Sequence, residues 1–160
     1  MVEIGQTAPE FSLYDTEKNK VSLADLTGKN VVLLFFPLAF TSVCTKELCS
    51  VRDGITAFNN LNASVFGISV DSVYTLKKFK EEQQLNFELL SDFNKDVSKA
   101  YDSIYDTFSL EMKGVSKRAA FVIDQDGILR YKEILASAGD IPDFDAIKRA
   151  LSLIALLALK

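Results

Sequence analysis

Val31-Val32-Leu33-Leu34-Phe35-Phe36-Pro37-Leu38-Ala39-Phe40-Thr41-Ser42-Val43-Cys44 is the stretch on which the reading of this chain turns. Its first six residues are continuously apolar, open on β-branched side chains, and are fenced by Gly28-Lys29-Asn30 before and Pro37 after. A run of that length and composition predicts a strand buried on both faces, as in a parallel sheet. Pro37 has no N–H to donate, so the strand stops there. From Thr41 the period changes: Leu48, Val51, Ile55 and Phe58 recur at intervals of three and four, which predicts an amphipathic helix. Strand passes to helix within a few residues, and Cys44 falls in the first helical turn. Unpaired backbone N–H groups and the helix dipole stabilise an anion at such a place, which favours a thiolate.

Outward from this junction, Ser64-Val65-Phe66-Gly67-Ile68-Ser69-Val70 predicts a second buried strand, followed by a charged helix over residues 72–84. The unit is βαβ, with parallel strands and a right-handed crossover. Upstream, Phe11-Ser12-Leu13-Tyr14 and Val21-Ser22-Leu23 flank a polar turn at residues 15–20 and read as a small hairpin. Downstream, Leu89-Leu90-Ser91-Asp92 reads as a short strand ending in a turn or N-cap, with a short helix at about 95–101. The rest of 85–117 has no clear period. A buried strand at 119–123, a tight turn at Asp124-Gln125-Asp126-Gly127 and a return strand at 128–134 come next, then a helix from about Pro142 to the end. The order predicts an α/β chain of thioredoxin-like fold: a central mixed β-sheet, helices on both faces and an N-terminal β-hairpin. Repeats and linkers are absent, so residues 1–160 read as one domain.

Composition then removes whole classes of chemistry. There is no histidine, which excludes Ser-His-Asp and Cys-His catalysis and any imidazole ligand or base. Two cysteines cannot build a four-thiolate zinc site, so no metal is expected, and they do not form a Cys-x-x-Cys pair. A net charge of −4 without a basic footprint argues against nucleic acid. The N-terminus lacks a signal peptide, and the longest apolar run, Ile154 to Leu159, is far short of the roughly 20 residues that span a bilayer. No membrane partner and a cytoplasmic location are expected. The stretch Leu151-Ser152-Leu153-Ile154-Ala155-Leu156-Leu157-Ala158-Leu159 is apolar on nearly every face, which fits core packing or a subunit contact, so monomer and homodimer both stay open.

The spacing Pro37-x-x-x-Thr41-x-x-Cys44 resembles the active-site signature of the peroxiredoxins. The likeness runs from Ala8-Pro9-Glu10-Phe11 through Lys117-Arg118-Ala119-Ala120-Phe121-Val122-Ile123-Asp124. The resemblance implies that Cys44 attacks a peroxide substrate, that the Thr41 hydroxyl hydrogen-bonds the peroxide and that Pro37 shields the thiolate. It also implies an arginine from a later strand, by position Arg118, one of only four arginines in the chain. No cofactor is implied, because sulfur performs the redox step. Thr41 is able both to donate to and to accept from the O–O bond. Thiolate formation alone is a modest gain: a free thiol of pKa about 8.5 is ~3% ionised at pH 7, so at most roughly 30-fold is available. The remainder must come from orienting the peroxide and stabilising charge on the departing oxygen.

The segment from Thr41 to Cys49 is similar to the peroxiredoxin Q (bacterioferritin comigratory protein) subfamily, in which this spacing pairs peroxidatic and resolving cysteines. That likeness implies Cys49 as resolving residue and thioredoxin, or a similar dithiol protein, as reductant. Ser42-Val43 stand where the subfamily has Pro-Gly, and Phe35 to Thr41 is similar instead to the one-cysteine E-type alkyl hydroperoxide reductases. A one-cysteine enzyme and a non-enzymatic thioredoxin-fold redox sensor therefore remain as alternatives. Geometry adds one constraint. Residues five apart on a helix have Cα atoms about 8.7 Å apart, whereas a disulfide tolerates about 4.4–6.8 Å. A Cys44–Cys49 bond requires the helix to unwind. Glu47 reads as an acid complementing the helix dipole, and Arg52 as structural rather than catalytic.

Overall fold

The strand predicted at 31–36 is β3 (Asn30–Phe35), the third from one edge of a seven-stranded sheet, and all six of its residues are buried. The structure, a computed structural model, describes residues 2–159. The other strands are β1 (Ser12–Asp15), β2 (Lys20–Ser22), β4 (Ala63–Ser69), β5 (Glu88–Ser91), β6 (Ile104–Tyr105), β7 (Val115–Ser116), β8 (Ala119–Ile123) and β9 (Leu129–Ile134). The helices are α1 (Ser42–Asp53), α2 (Ile55–Asn60), α3 (Val73–Gln83), α4 (Asp96–Ala100) and α5 (Phe144–Ala158). The large sheet has the order β2-β1-β5-β4-β3-β8-β9. β3, β4 and β5 run parallel; β8 is antiparallel to β3, β9 to β8, and the β1–β2 hairpin joins antiparallel through β5. The fold is thioredoxin-like, a mixed sheet with the hairpin at one edge.

Alternation along β3 sorts the core into two layers. Val32, Leu34 and Phe36 point to the face covered by Leu48, Val51, Phe58, Leu76, Phe79, Ile147 and Leu151, which come from α1, α2, α3 and α5. Val31, Leu33 and Phe35 point to the other face, with Phe11, Leu23, Ile68, Leu90, Val97, Tyr101 and Phe121. Helices cover both faces, but unequally. The chain steps from β3 to β4 to β5 in one direction, so two right-handed crossovers place α1, α2 and α3 on the same side. The opposite side has the short α4 and the N-terminal segment.

Two local features depart from the periodic reading. The apolar spacing runs on from Leu48 to Phe58, yet the helix breaks at Gly54, whose N–H bonds both Ser50 and Val51 carbonyls before α2 begins. Glycine is the weakest helix former after proline, and the periodicity survives the break because both pieces bury the same side. Residues 101–117 fold as the β6–β7 ribbon around a 3-10 turn, Ser109–Glu111, with Leu110 and Glu111 at positive φ. Strands of two residues are too short to show a period. No helix among the described residues is long and apolar enough to cross a membrane.

The topology brings the chemistry to one end of the sheet. β3 finishes at Phe35, and antiparallel β8 starts at Ala119 directly opposite it. Arg118 therefore emerges beside the Pro37–Cys44 segment, although 74 residues separate it from Cys44.

Candidate active site

The segment from Pro37 to Thr41 is held before α1 begins. Phe36 N–H continues the ladder to the Ile68 carbonyl at 2.9 Å, and Pro37 is buried. Ala39 N–H donates to Asp71 Oδ2 at 2.8 Å, and the same carboxylate oxygen accepts from Ser69 Oγ at 2.6 Å. Asp71 follows β4, so it ties this loop to the strand end. Phe40 sits at φ 66°, in the left-handed region that an aromatic residue rarely occupies. Its ring packs edge-on against Phe79 of α3, with centroids 5.1 Å apart. Packing thus holds a strained residue next to the reactive turn.

Thr41 is the N-cap of α1 by backbone shape, yet its side chain does not cap the helix. Its hydroxyl donates to the Leu38 carbonyl at 2.7 Å, and its own carbonyl accepts from Thr45 N–H and Thr45 Oγ1. Here the hydroxyl proton is directed to that carbonyl, which leaves lone pairs of the oxygen free to accept. The hydroxyl is on the exposed side of the turn, within the same segment as Cys44 but without a hydrogen bond to it.

Cys44 is only 1% exposed and shares the buried face of α1 with Glu47, Leu48 and Val51. Arg118 meets it: Nη2 lies 3.3 Å from Sγ. The guanidinium is itself 1% exposed and is oriented from two further sides. Nη1 donates to Glu47 Oε1 at 2.6 Å, while Nη2 and Nε donate to the Ala138 carbonyl at 2.9 and 3.3 Å. A planar fork held at three points cannot swing away from the sulfur. Burial, the largest single influence, opposes the charge on Arg118, but Glu47 and Cys44 together outweigh it and hold its pKa above the ordinary arginine value.

Glu47 overturns its sequence reading. It is fully buried, six residues into the helix, and it is the counter-ion of Arg118 rather than an acid on the dipole. Burial pushes its carboxyl up to about 7, with the charge and hydrogen bond of Arg118 pulling the other way. Its Oε2 has no hydrogen-bond partner among the described residues. The spacing contained the signal: Cys44, Glu47, Leu48 and Val51 follow i, i+3, i+4, i+7, so Glu47 shares the face that buries Leu48. Asp71 and the Ala138 carbonyl had no comparable signal, since both act through backbone contacts across the fold.

Cys49 belongs to a different neighbourhood. It is half-buried, and its Sγ approaches Gln83 Oε1 of α3 at 3.5 Å. Both cysteines are free, and α1 is regular between them. Arg52 bonds Asp53 at 2.9 Å and the Gln83 carbonyl at 2.6 Å. Among the described residues no cluster of His, Cys, Asp or Glu suits a metal ion. A groove of about 870 Å³ is lined by the hairpin and the starts of α3 and α4, and none of the site residues borders it. A buried sulfur, a guanidinium clamped beside it and a strained turn at the helix start can stabilise an anion and the oxygen it displaces.

The sequence pattern of the AhpC/TSA family matches residues 4–132. Alkyl hydroperoxide reductase E of Mycobacterium tuberculosis is 39% identical over 146 residues, covering 89% of this chain and 92% of that protein. The crystal structure of the reduced 2-Cys peroxiredoxin of Plasmodium vivax superposes with a TM-score of 0.87 at 29% identity, covering 99% of this chain and 100% of that one. Peroxidoxin BcpB from Mycobacterium tuberculosis gives 0.81 at 30% identity, with 98% of each chain covered.

Proposed function

This chain belongs to the AhpC/TSA family and is a thiol-dependent peroxidase of the peroxiredoxin kind, and within it we propose that Cys44 attacks the peroxide, Cys49 resolves the product and a dithiol protein recycles both. The observation that carries the assignment of Cys44 is the 3.3 Å contact from Arg118 Nη2 to its sulfur. The thiolate attacks one oxygen of hydrogen peroxide or an organic hydroperoxide. An S–O bond forms, the O–O bond breaks, and the departing oxygen takes a proton to leave as water or alcohol. Cys44 is then a sulfenic acid. Arg118 stabilises the negative charge on sulfur before the step and on oxygen during it. Thr41 accepts from the hydroxyl of the incoming peroxide and aligns it, and Pro37 keeps water off the sulfur.

Resolution follows when the Cys49 thiolate attacks the Cys44 sulfur and expels hydroxide, which takes up a proton as water. The resulting disulfide is reduced by thioredoxin or a similar dithiol, the protein acting as a single domain over residues 1–160. With both residues on regular α1, about 8.7 Å apart between Cα atoms, the first turns unwind in this step. That same regularity favours a second reading, a one-cysteine enzyme whose sulfenic acid is met by an external thiol. Peroxide consumption by Cys44→Ser and Cys49→Ser chains tests both. Cys44→Ser abolishes consumption. Cys49→Ser completes one turnover and accumulates sulfenic acid if Cys49 resolves, and cycles normally with small thiols if it does not. Consumption that survives Cys44→Ser removes the assignment.

A further inference from the structure

Cys49 also has a cation nearby in the chain, on its own helix. Helical side chains lean back toward the N-terminus, so a residue is reached from three positions further along. For Cys49 that residue is Arg52, whereas Lys46, three positions before, leans away. Lys46 is exposed and makes no ion pair among the described residues.

Arg52 and Cys49 converge on one residue of α3. Arg52 Nη1 donates to the Gln83 carbonyl at 2.6 Å, and Cys49 Sγ lies 3.5 Å from Gln83 Oε1. Asn86 Nδ2 donates to the Arg52 carbonyl at 3.1 Å, so this end of α1 is tied to the end of α3 twice. Arg52 Nε is taken by Asp53 at 2.9 Å. The other charges close to Gln83 on α3 have their own partners or solvent: Lys80 pairs with Glu88 at 3.0 Å, Glu82 with Lys78 at 3.7 Å, and Glu81 is exposed. The hydrogen bond to Asp53 is the main influence raising the Arg52 pKa above its ordinary value; burial opposes it, and negative charge on Cys49 adds to it.

The two forms of Cys49 want different partners. A thiol donates to Gln83 Oε1, whereas a thiolate only accepts, so that oxygen repels it and a guanidinium attracts it. We propose that Arg52 is a positioning residue of the second half of the reaction, holding Cys49 on α3 and stabilising its thiolate for attack on the Cys44 sulfenic acid. This role rests on Cys49 as the resolving residue. The Cys49 thiol gives its proton to solvent and the thiolate attacks the Cys44 sulfur. An S–S bond forms, the S–O bond breaks, and hydroxide leaves to take up a proton as water. Unwinding the first turns of α1 leaves the pair intact, because both ties to α3 lie beyond Cys49. Arg52 is partly exposed, so the attraction is screened and its effect is about three- to tenfold.

One equivalent of hydrogen peroxide generates the sulfenic acid, and rapid quench with mass spectrometry follows its conversion to disulfide. Arg52→Met, which keeps an apolar stem, slows the conversion about fivefold, and Arg52→Lys restores most of the rate. At about 1 M salt, where the Debye length is about 3 Å, the gap narrows to within about twofold. In a Cys44→Ser chain at about pH 7, alkylation of Cys49 by iodoacetamide falls by the same factor with Arg52→Met. Neither Lys46→Met nor Asn86→Ala changes it, the latter removing a tether but no charge. Disulfide formation at the wild-type rate in Arg52→Met overturns the proposal and leaves Cys49 as the resolving residue. A gap indifferent to salt overturns it as well, since lost packing is not screened. A wild-type chain that keeps its sulfenic acid removes the Cys49 reading itself, and the role of Arg52 with it.

Discussion

Cys44 and Cys49 lie on one helix, little more than a turn apart, and their surroundings have almost nothing in common. Cys44 is sealed from water and met by a guanidinium from β8's leading end, itself fixed by a buried carboxylate and a backbone carbonyl. Cys49 is half-buried against the side chain of Gln83. Helix position alone does not decide what a thiol becomes. The elements that cross α1 from elsewhere in the fold do, and only Cys44 has a guanidinium brought to hydrogen-bond distance by another element.

The contrast breaks most readily at Arg118. Arg118→Ala is expected to slow the first, peroxide-dependent step by about 10²- to 10³-fold, the usual cost of losing one donor to a developing charge. Stopped-flow consumption of hydrogen peroxide measures it, and alkylation of Cys49 by iodoacetamide stays at the wild-type rate. Arg118→Lys recovers only part of the loss, because a point charge cannot hold sulfur, carboxylate and carbonyl together.

Glu47 gives the next largest effect, on stability. Its carboxyl is raised from 4.5 to about 7, so the folded state retains a proton that the unfolded chain releases. The contribution is fully present below pH 4.5 and is lost as pH rises through 7, about 3 kcal/mol at about 1.4 kcal/mol per pKa unit. Urea titrations from pH 4.5 to 7.5 are expected to show the wild-type chain losing that much relative to Glu47→Gln. Parallel curves for the two chains remove Glu47 from the account.

Asp71→Ala frees the Ala39 N–H and loosens the turn before α1, with an expected loss of about tenfold in the peroxide step. Asp71→Asn keeps an oxygen for that N–H and restores most of the rate. The smallest effect belongs to the other sulfur. Gln83→Ala is expected to leave the peroxide step within about twofold, since a thiol is a weak donor. A larger change there, in the same stopped-flow assay, couples the two neighbourhoods and dissolves the contrast.

The sequence made one side of this comparison readable and hid the other. The run from Val31 to Phe36, Pro37, and the helical spacing after Thr41 locate Cys44 at a strand-to-helix junction, because sheet and helix periods are local properties. Arg118 was reachable only through family likeness, since nothing local announces that residue 118 ends opposite residue 36. Glu47 by residue type and place suggests an acid complementing the helix dipole, whereas its spacing puts it on the face that buries Leu48, and only the position of Arg118 decides between the two. Asp71 and Ala138 act on or through the peptide group, and backbone contacts leave no mark on residue type. Gly54 and the 101–117 ribbon escaped for the opposite reasons, a period that survives a broken helix and strands too short to have one.

The Ala138 carbonyl is an oxygen that any residue type supplies equally. Substitutions along the Leu135–Asp140 turn can drift in identity while the guanidinium remains aimed. A one-residue insertion or deletion cannot, since it moves the carbonyl itself by up to about 3.8 Å. Within this turn, chain length rather than side-chain chemistry is the property under constraint, and a single-residue deletion there is expected to mimic the loss of Arg118 with every catalytic side chain still in place.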